Sequence, residues 1–165
     1  MSSAVAWHFI QQMLPDVVPA TAHTALAAWS AQAEPVLPAA ALVVTSGTAT
    51  TADVLDGQGV FQGGVILPGL DLMRLSLARD TAQLPYTDGR FQRTPRRTAD
   101  AIQTGCLHAQ LGAIERMFRL VATEPGSLCL LNGGAAASLA PLLECPLREV
   151  DNLVLEGLAR MLASG

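Results

Sequence analysis

The sequence predicts an α/β fold, and three observations carry that reading. Three short apolar runs, at 42–44, 54–55 and 60–67, each stop at a turn signal and are too short for helices. Asp56-Gly57 followed by Gln58-Gly59 joins two of them as a hairpin signal. After Pro68-Gly69 the spacing changes, with Leu70, Met73, Leu75 and Leu77 reading as a helix, and helices and strands then alternate down the chain.

Taken in order, Ser2 or Ser3 caps a first helix over residues 3–13, with Val5, Phe9 and Met13 on one face, and Pro15 ends it. Residues 21–32 form a second, Ala-rich helical run, and Glu34-Pro35 to Pro38 is a linker. Residues 1–40 are therefore a helical lead-in, and residues 41–165 are one compact unit that opens with a three-stranded meander. Gly63-Gly64 inside the third strand marks a bulge or a close backbone approach. Thr98 caps a long helix running to about residue 122. That helix carries two apolar stripes: Ile102, Cys106, Ala109, Ala113 and Met117, and Leu107, Leu111, Ile114, Phe118 and Val121. A helix apolar on two faces is central or pairs with a partner subunit. Residues 128–131 read as a buried strand, 135–143 as a helix, 147–150 as an edge strand and 152–162 as a closing amphipathic helix.

Composition narrows the function classes. Half the residues are hydrophobic, yet no apolar run spans a bilayer, and MSSAVAWHFIQQM has no basic signal-peptide start. The net charge of −4, with both signs scattered, argues against a nucleic-acid or anionic-membrane surface. Cys106, Cys129 and Cys145 form no CxxC pair and read as small core residues in a reducing compartment, which places the protein in the cytoplasm. His8 and His108 have no acidic or Cys partners at metal spacing, so no metal site is expected.

Three glycine turns are candidates for chemistry. In the run at Gly47–Thr51 a tight turn points backbone N–H groups outward together, and the hydroxyls of Thr48, Thr50 and Thr51 add donors. Such a nest cradles phosphate oxygens, although most turns of this kind bind only water. Gly63-Gly64 is expected beside that turn through hairpin pairing, as part of the same phosphate-facing surface. Strand, Gly133-Gly134, then helix is a phosphate or adenine approach geometry and equally a common connection. Between 86 and 97, Arg90, Arg93, Arg96 and Arg97 are either a solvated loop or attract phosphate or carboxylate.

The words GTATT at 47–51, Asp53, GG-x-I-x-PG at 63–69 and TAQLP at 81–85 resemble the type III pantothenate kinases. So do Thr98 with Ala101-Ile102-Gln103-x-Gly105, Asn132-Gly133-Gly134-Ala135, and LVLEGL at 153–158. The resemblance covers residues 20–163 or thereabouts. It implies half of an actin-like ATPase (ribonuclease H-like) kinase fold, a homodimer built on the long helix, and phosphorylation of pantothenate by ATP in coenzyme A synthesis. It also implies Mg2+ with the ATP, a potassium or ammonium ion, phosphate contacts from Gly47, Thr48, Gly63, Gly64, Gly133 and Gly134, and a pantothenate contact from Thr98.

The chain departs from the family's pattern where the chemistry is placed. The first half of the usual chain, with its Asp-x-Gly-Asn-Thr phosphate loop, has no counterpart. The Gly-x-Asp-Arg motif aligns with Thr21-Ala22-His23-Thr24, which puts His23 where the base Asp belongs. An imidazole is chemically able to serve there, although a lone His at a helix start is more often a cap or a surface residue. The Asp-x-Gly-Thr turn becomes Thr45-Ser46-Gly47-Thr48, so a neutral hydroxyl replaces the cation-binding carboxylate. Asn132 stands where the family usually has Thr. Two classes of function follow: a divergent kinase completed by another segment or chain, or a non-catalytic dimerising homologue that keeps nucleotide or pantothenate binding. The chain alone is expected to be inactive.

Overall fold

A computed structural model describes residues 40–57, 61–81, 84, 86 and 88–153. The expected helices at 3–13 and 21–32, with His23, lie outside the described residues, as does all but the start of the closing helix.

The fold is α/β, built on a five-stranded mixed sheet. Its strands are β1 (Ala41–Ser46), β2 (Ala49–Leu55), β3 (Phe61–Pro68), β4 (Leu128–Asn132) and β5 (Leu147–Glu149). They lie in the order β3-β2-β1-β4-β5, so β1 is central. This explains its near-continuous apolar run, because a strand covered on both faces has no solvent side to mark with polar residues. The pairs β1–β2 and β2–β3 are antiparallel hairpins. The pairs β1–β4 and β4–β5 are parallel, and a parallel pair needs a crossover. Between β1 and β4 the chain makes that crossing after the meander, through α1 (Leu70–Asp80) and α2 (Thr98–Phe118).

Alternation divides the sheet into two faces. Leu42, Val44, Ala52, Val54, Cys129 and Leu131 pack with Leu107, Leu111, Ile114 and Phe118 of α2. Val43, Leu55, Leu130 and Leu153 form a smaller cluster. Burying a large aliphatic or aromatic side chain contributes about 1.5–3 kcal/mol, whereas the solvent-exposed ion pair of Arg79 and Asp80 is screened by water and adds little. Packing therefore fixes α2 against the sheet.

Several expected elements shift. Of the two stripes on α2, the one from Leu107 to Val121 is buried. In the other, Ile102 and Cys106 are buried, Ala113 and Met117 half-buried, and Ala109 exposed. Regular helix ends at Phe118, not near 122. Arg97, in extended conformation, occupies the N-cap position, so Thr98 is the first helical residue and not the cap. The expected helix over 135–143 is a single turn, α3 (Ala136–Leu139), followed by a 3-10 turn (Ala140–Leu142). Pro141 has no N–H to continue the α-helical ladder. In β3, Val54 pairs with Gly63 and Leu55 with Phe61, so Gln62 is the extra residue of a bulge beside Gly63, whose φ of +119° favours glycine.

Candidate functional site

The site forms where the parallel strands β1 and β4 end together. Thr45 pairs with Asn132 on one side and with Thr51 on the other, which makes one row across three strands. Period-2 alternation puts Thr45, Thr51, Asp53 and Asn132 on the sheet face turned away from α2. The buried Asn132 amide donates to the Thr45 hydroxyl at 2.9 Å and to the Val44 carbonyl at 3.1 Å. Two register pairs further from the edge stands Asp53, opposite Val43. Burial pushes its carboxyl up to about 6, against the opposing hydrogen bond with Thr51.

The edge itself is glycine-built. The turn between β1 and β2 contains only Gly47 and Thr48. Gly69 closes over it: its N–H donates to the Thr48 carbonyl at 2.9 Å, and any Cβ at Gly69 would collide with the Gly47 carbonyl. Gly133 has φ +101°, and a Cβ there would collide with the Ser46 carbonyl. The Ala135 N–H donates to that same carbonyl at 3.1 Å. Gly134 is exposed with open space beside it, and Thr48 is exposed.

The structure thus brings Gly47, Thr48, Gly133 and Gly134 to one edge, with Thr45 just behind. It corrects three details of the expected nest. The Gly47 N–H already donates to the Ala49 carbonyl at 2.9 Å, so that donor is engaged. Thr50 belongs to β2, where its fully buried hydroxyl meets the Ser46 hydroxyl at 2.9 Å. Gly63-Gly64 is not beside the turn: it pairs with Val54 and Asp53, about 13 Å along the hairpin from Ala49. A Cβ at Gly64 would collide with the Asp53 carboxylate and the Ala52 carbonyl, so this glycine makes room for Asp53.

Thr98 stands elsewhere on the same side of the molecule. Gln110 of α2 donates its amide to the Pro68 carbonyl at 2.6 Å, which ties the middle of the helix to the edge where the turn lies. Thr98 is twelve residues back, about 18 Å further along the helix, and so projects beyond the sheet. Among the described residues no hydrogen bond joins it to the turn. The arginine-bearing loop is strapped to the same helix: the Arg90 N–H donates to Asp100 at 2.9 Å and the Gln92 N–H to the Thr104 hydroxyl at 3.1 Å. Phe91 meets the His108 ring edge-on at 5.7 Å. The side chains of Arg90, Arg93, Arg96 and Arg97 are exposed.

A groove of about 380 Å3 lies at the opposite end of the sheet, lined in part by Ala40, Asp56, Gln62, Gly63, Met117 and Glu124. Its polar side chains are engaged internally, Gln62 with Asp56 and Glu124 with the Ala40 N–H. It lies away from the glycine edge.

Position 45 does not fit a cation in the way the family resemblance implies. The Thr45 oxygen is neutral and already accepts from an amide N–H, and a donor aimed at the same atom opposes a bound positive charge.

Asp53, on the same face as Thr45 and Thr51, is the neighbour that the motifs do not name as a site residue. Counting alternate residues back across the hairpin from Thr45 finds it.

A profile of the family described as type III pantothenate kinase matches residues 22–120. The chain belongs to the type III pantothenate kinase family. It is 63% identical over 121 residues to a type III pantothenate kinase of Aromatoleum aromaticum, covering 73% of this chain and 50% of that one. To the Azoarcus sp. type III pantothenate kinase it is 54% identical over 123 residues, covering 74% and 47%. To that of Dechloromonas aromatica it is 52% identical over 122 residues, covering 74% and 51%. The chain therefore spans about half the length of the curated relatives it matches. A crystal structure of a Campylobacter jejuni protein, described as conserved and of the Baf family of transcriptional activators, superposes with a TM-score of 0.61 at 20% identity. It covers 86% of this chain and 63% of that one, a likeness of fold alone. Among the described residues no helix is long and apolar enough to cross a membrane.

Proposed function

We propose that this chain supplies the nucleotide-side and pantothenate-side contacts of a type III pantothenate kinase, half of an actin-like ATPase fold that phosphorylates pantothenate with ATP in the cytoplasm. The observation that carries the reading is the convergence of Gly133 on Ser46, which places the exposed Thr48 and Gly134 at the carboxyl ends of two adjacent parallel strands. Ligands of open α/β sheets bind outside the carboxyl ends of the strands. In this reading the Thr48 hydroxyl and the backbone around Gly134 hold phosphate oxygens of ATP, which arrives with Mg2+. Thr98 touches pantothenate at the far end of the same side, and the exposed arginines draw in the carboxylate or the phosphates. In the kinase reading, proton acceptance from the substrate hydroxyl falls to His23, outside the described residues, at the position of the family's base Asp.

Phosphoryl transfer depends on positioning and charge neutralisation, and loss of a general base alone removes about 10²–10⁴-fold of rate. With His23 in place of the base Asp and Thr45 in place of the cation-binding carboxylate, this chain by itself is expected to show no turnover. The second reading, a non-catalytic homologue that keeps nucleotide or pantothenate binding, is favoured by the Thr45–Asn132 bond, which occupies the cation position with a neutral pair. Both readings include a homodimer through the exposed small residues Ala101, Gly105, Ala109 and Gly112 of α2, with sedimentation as the check.

Calorimetric titration of the purified chain with ATP-Mg, and separately with pantothenate, tests the binding reading; binding of either ligand supports it. An assay of pantothenate-dependent ADP release then separates the two readings. Release abolished by His23→Ala would make the chain a kinase on its own, and silence of both titrations removes the functional site.

A further inference from the structure

The strand that carries Asn132 also carries Cys129, and the segment that leads into β5 carries Cys145. Cys129 is fully buried in the core and Cys145 is half-buried against the same cluster. The Cys129 N–H donates to the Pro146 carbonyl at 2.8 Å, and Cys129 pairs with Leu147, so the backbone next to Cys145 is held against β4. Both side chains pack into one core cluster, and the Cys145 thiol is the neighbour that acts most strongly on the Cys129 thiol. Cys106, on α2, takes no part in that contact.

We propose that Cys129 and Cys145 are a peroxide-oxidisable dithiol that closes to an intramolecular disulfide. The contact gives the two sulfurs different roles. The neighbouring Cys129 thiol holds the Cys145 thiol below its ordinary range; burial and the Glu115 carboxylate oppose this only in part. The same contact, followed by burial, pushes the Cys129 thiol up. Cys145 is therefore the more readily ionised of the two and the more accessible, and the thiolate is the nucleophile. Its sulfur attacks one oxygen of hydrogen peroxide; the O–O bond breaks, the released hydroxide leaves as water with a proton, and Cys145 becomes a sulfenic acid. Cys129 then attacks that sulfur. The S–S bond forms, the sulfenic hydroxyl departs as a second water with the Cys129 proton, and the thiol pair has given two electrons to the peroxide. Thiol reductants reverse the bond. The closed ring contains Asn132, Gly133 and Gly134, so oxidation staples the β4 side of the glycine edge. The inference stands on the thiol contact and the strand register, whatever ligand the edge binds.

The test treats the native full-length chain with dilute hydrogen peroxide, blocks free thiols, and maps peptides by mass. The expected product has lost about 2 Da before blocking. It has one blockable thiol, Cys106, in place of three, carries a reducible 129–145 cross-linked peptide, and runs as the same oligomer as before. The half-buried Cys145→Ser variant should keep two blockable thiols and form no intramolecular link. Three thiols still free after treatment would overturn the proposal. So would Cys145 driven to sulfinic acid, a gain of about 32 Da, with Cys129 untouched, or a link through Cys106 or between chains.

Discussion

Asn132 on β4 donates its side-chain amide to the Thr45 hydroxyl on β1 at 2.9 Å, across a parallel strand pair in which the two residues are register partners. The same amide reaches the Val44 carbonyl at 3.1 Å. Asn132→Ala removes both bonds inside a buried strand end and leaves the Val44 carbonyl with one partner fewer. The expected cost is about 1–3 kcal/mol, read by chemical denaturation. A change within about 0.5 kcal/mol, the range of ordinary surface substitutions, would mean that the bond does not hold the edge together.

The two glycines that follow separate packing from ligand contact. Gly133→Ala must place a Cβ against the Ser46 carbonyl at φ +101°, and is expected to cost about 2 kcal/mol or more. Gly134 has open space beside it, so Gly134→Ala should leave stability within about 0.5 kcal/mol of wild type. Thermal melts of both variants check this contrast, and equal losses would contradict the arrangement of the edge.

Asp53 makes stability depend on pH in a stated direction. Its carboxyl is raised from 3.8 to about 6 in the folded chain, first by burial. The folded state therefore binds that proton more tightly than the unfolded state. The contribution is fully present below about 3.8 and is lost as pH rises through about 6. Asp53→Asn has no carboxylate to ionise. Relative to wild type it should be equally stable near pH 4 and more stable at pH 7.5. The difference is on the order of 1 kcal/mol, because partial exposure screens the effect. Denaturant unfolding at the two pH values decides it; a variant less stable than wild type at pH 7.5 would show the ionised carboxylate to be favourably held.

The meander, the central strand and the long helix were legible because each is local. Apolar runs bounded by Asp-Gly and Pro-Gly mark β1 to β3, and the run from Leu107 to Val121 keeps helical spacing throughout. What the sequence left hidden depends on register. Gly63-Gly64 looked like part of the phosphate-facing surface, but antiparallel pairing carries it to the far end of the hairpin, where Gly64 makes room for Asp53. Thr50 looked like a turn hydroxyl, and alternation turned it inward to Ser46. Pro141 was visible, yet its shortening of α3 to one turn was not drawn from it. The grouping of Gly47, Thr48, Gly133 and Gly134 was readable only through their motifs, since nothing local in Thr45 or Asn132 says that their strands are neighbours.

Thr48 tests the central claim most directly. It is exposed at the turn, and its carbonyl, not its side chain, is what holds Gly69. Calorimetric titration of ATP-Mg into wild type and Thr48→Val is the measurement. Wild type is expected to bind, and the variant to bind more weakly by about 0.5–1.5 kcal/mol, the net contribution of one hydrogen bond, with its melting temperature unchanged. Wild type that takes up no ATP at millimolar concentration, or a variant that binds as tightly as wild type, would contradict the account and leave the glycine edge a packing turn.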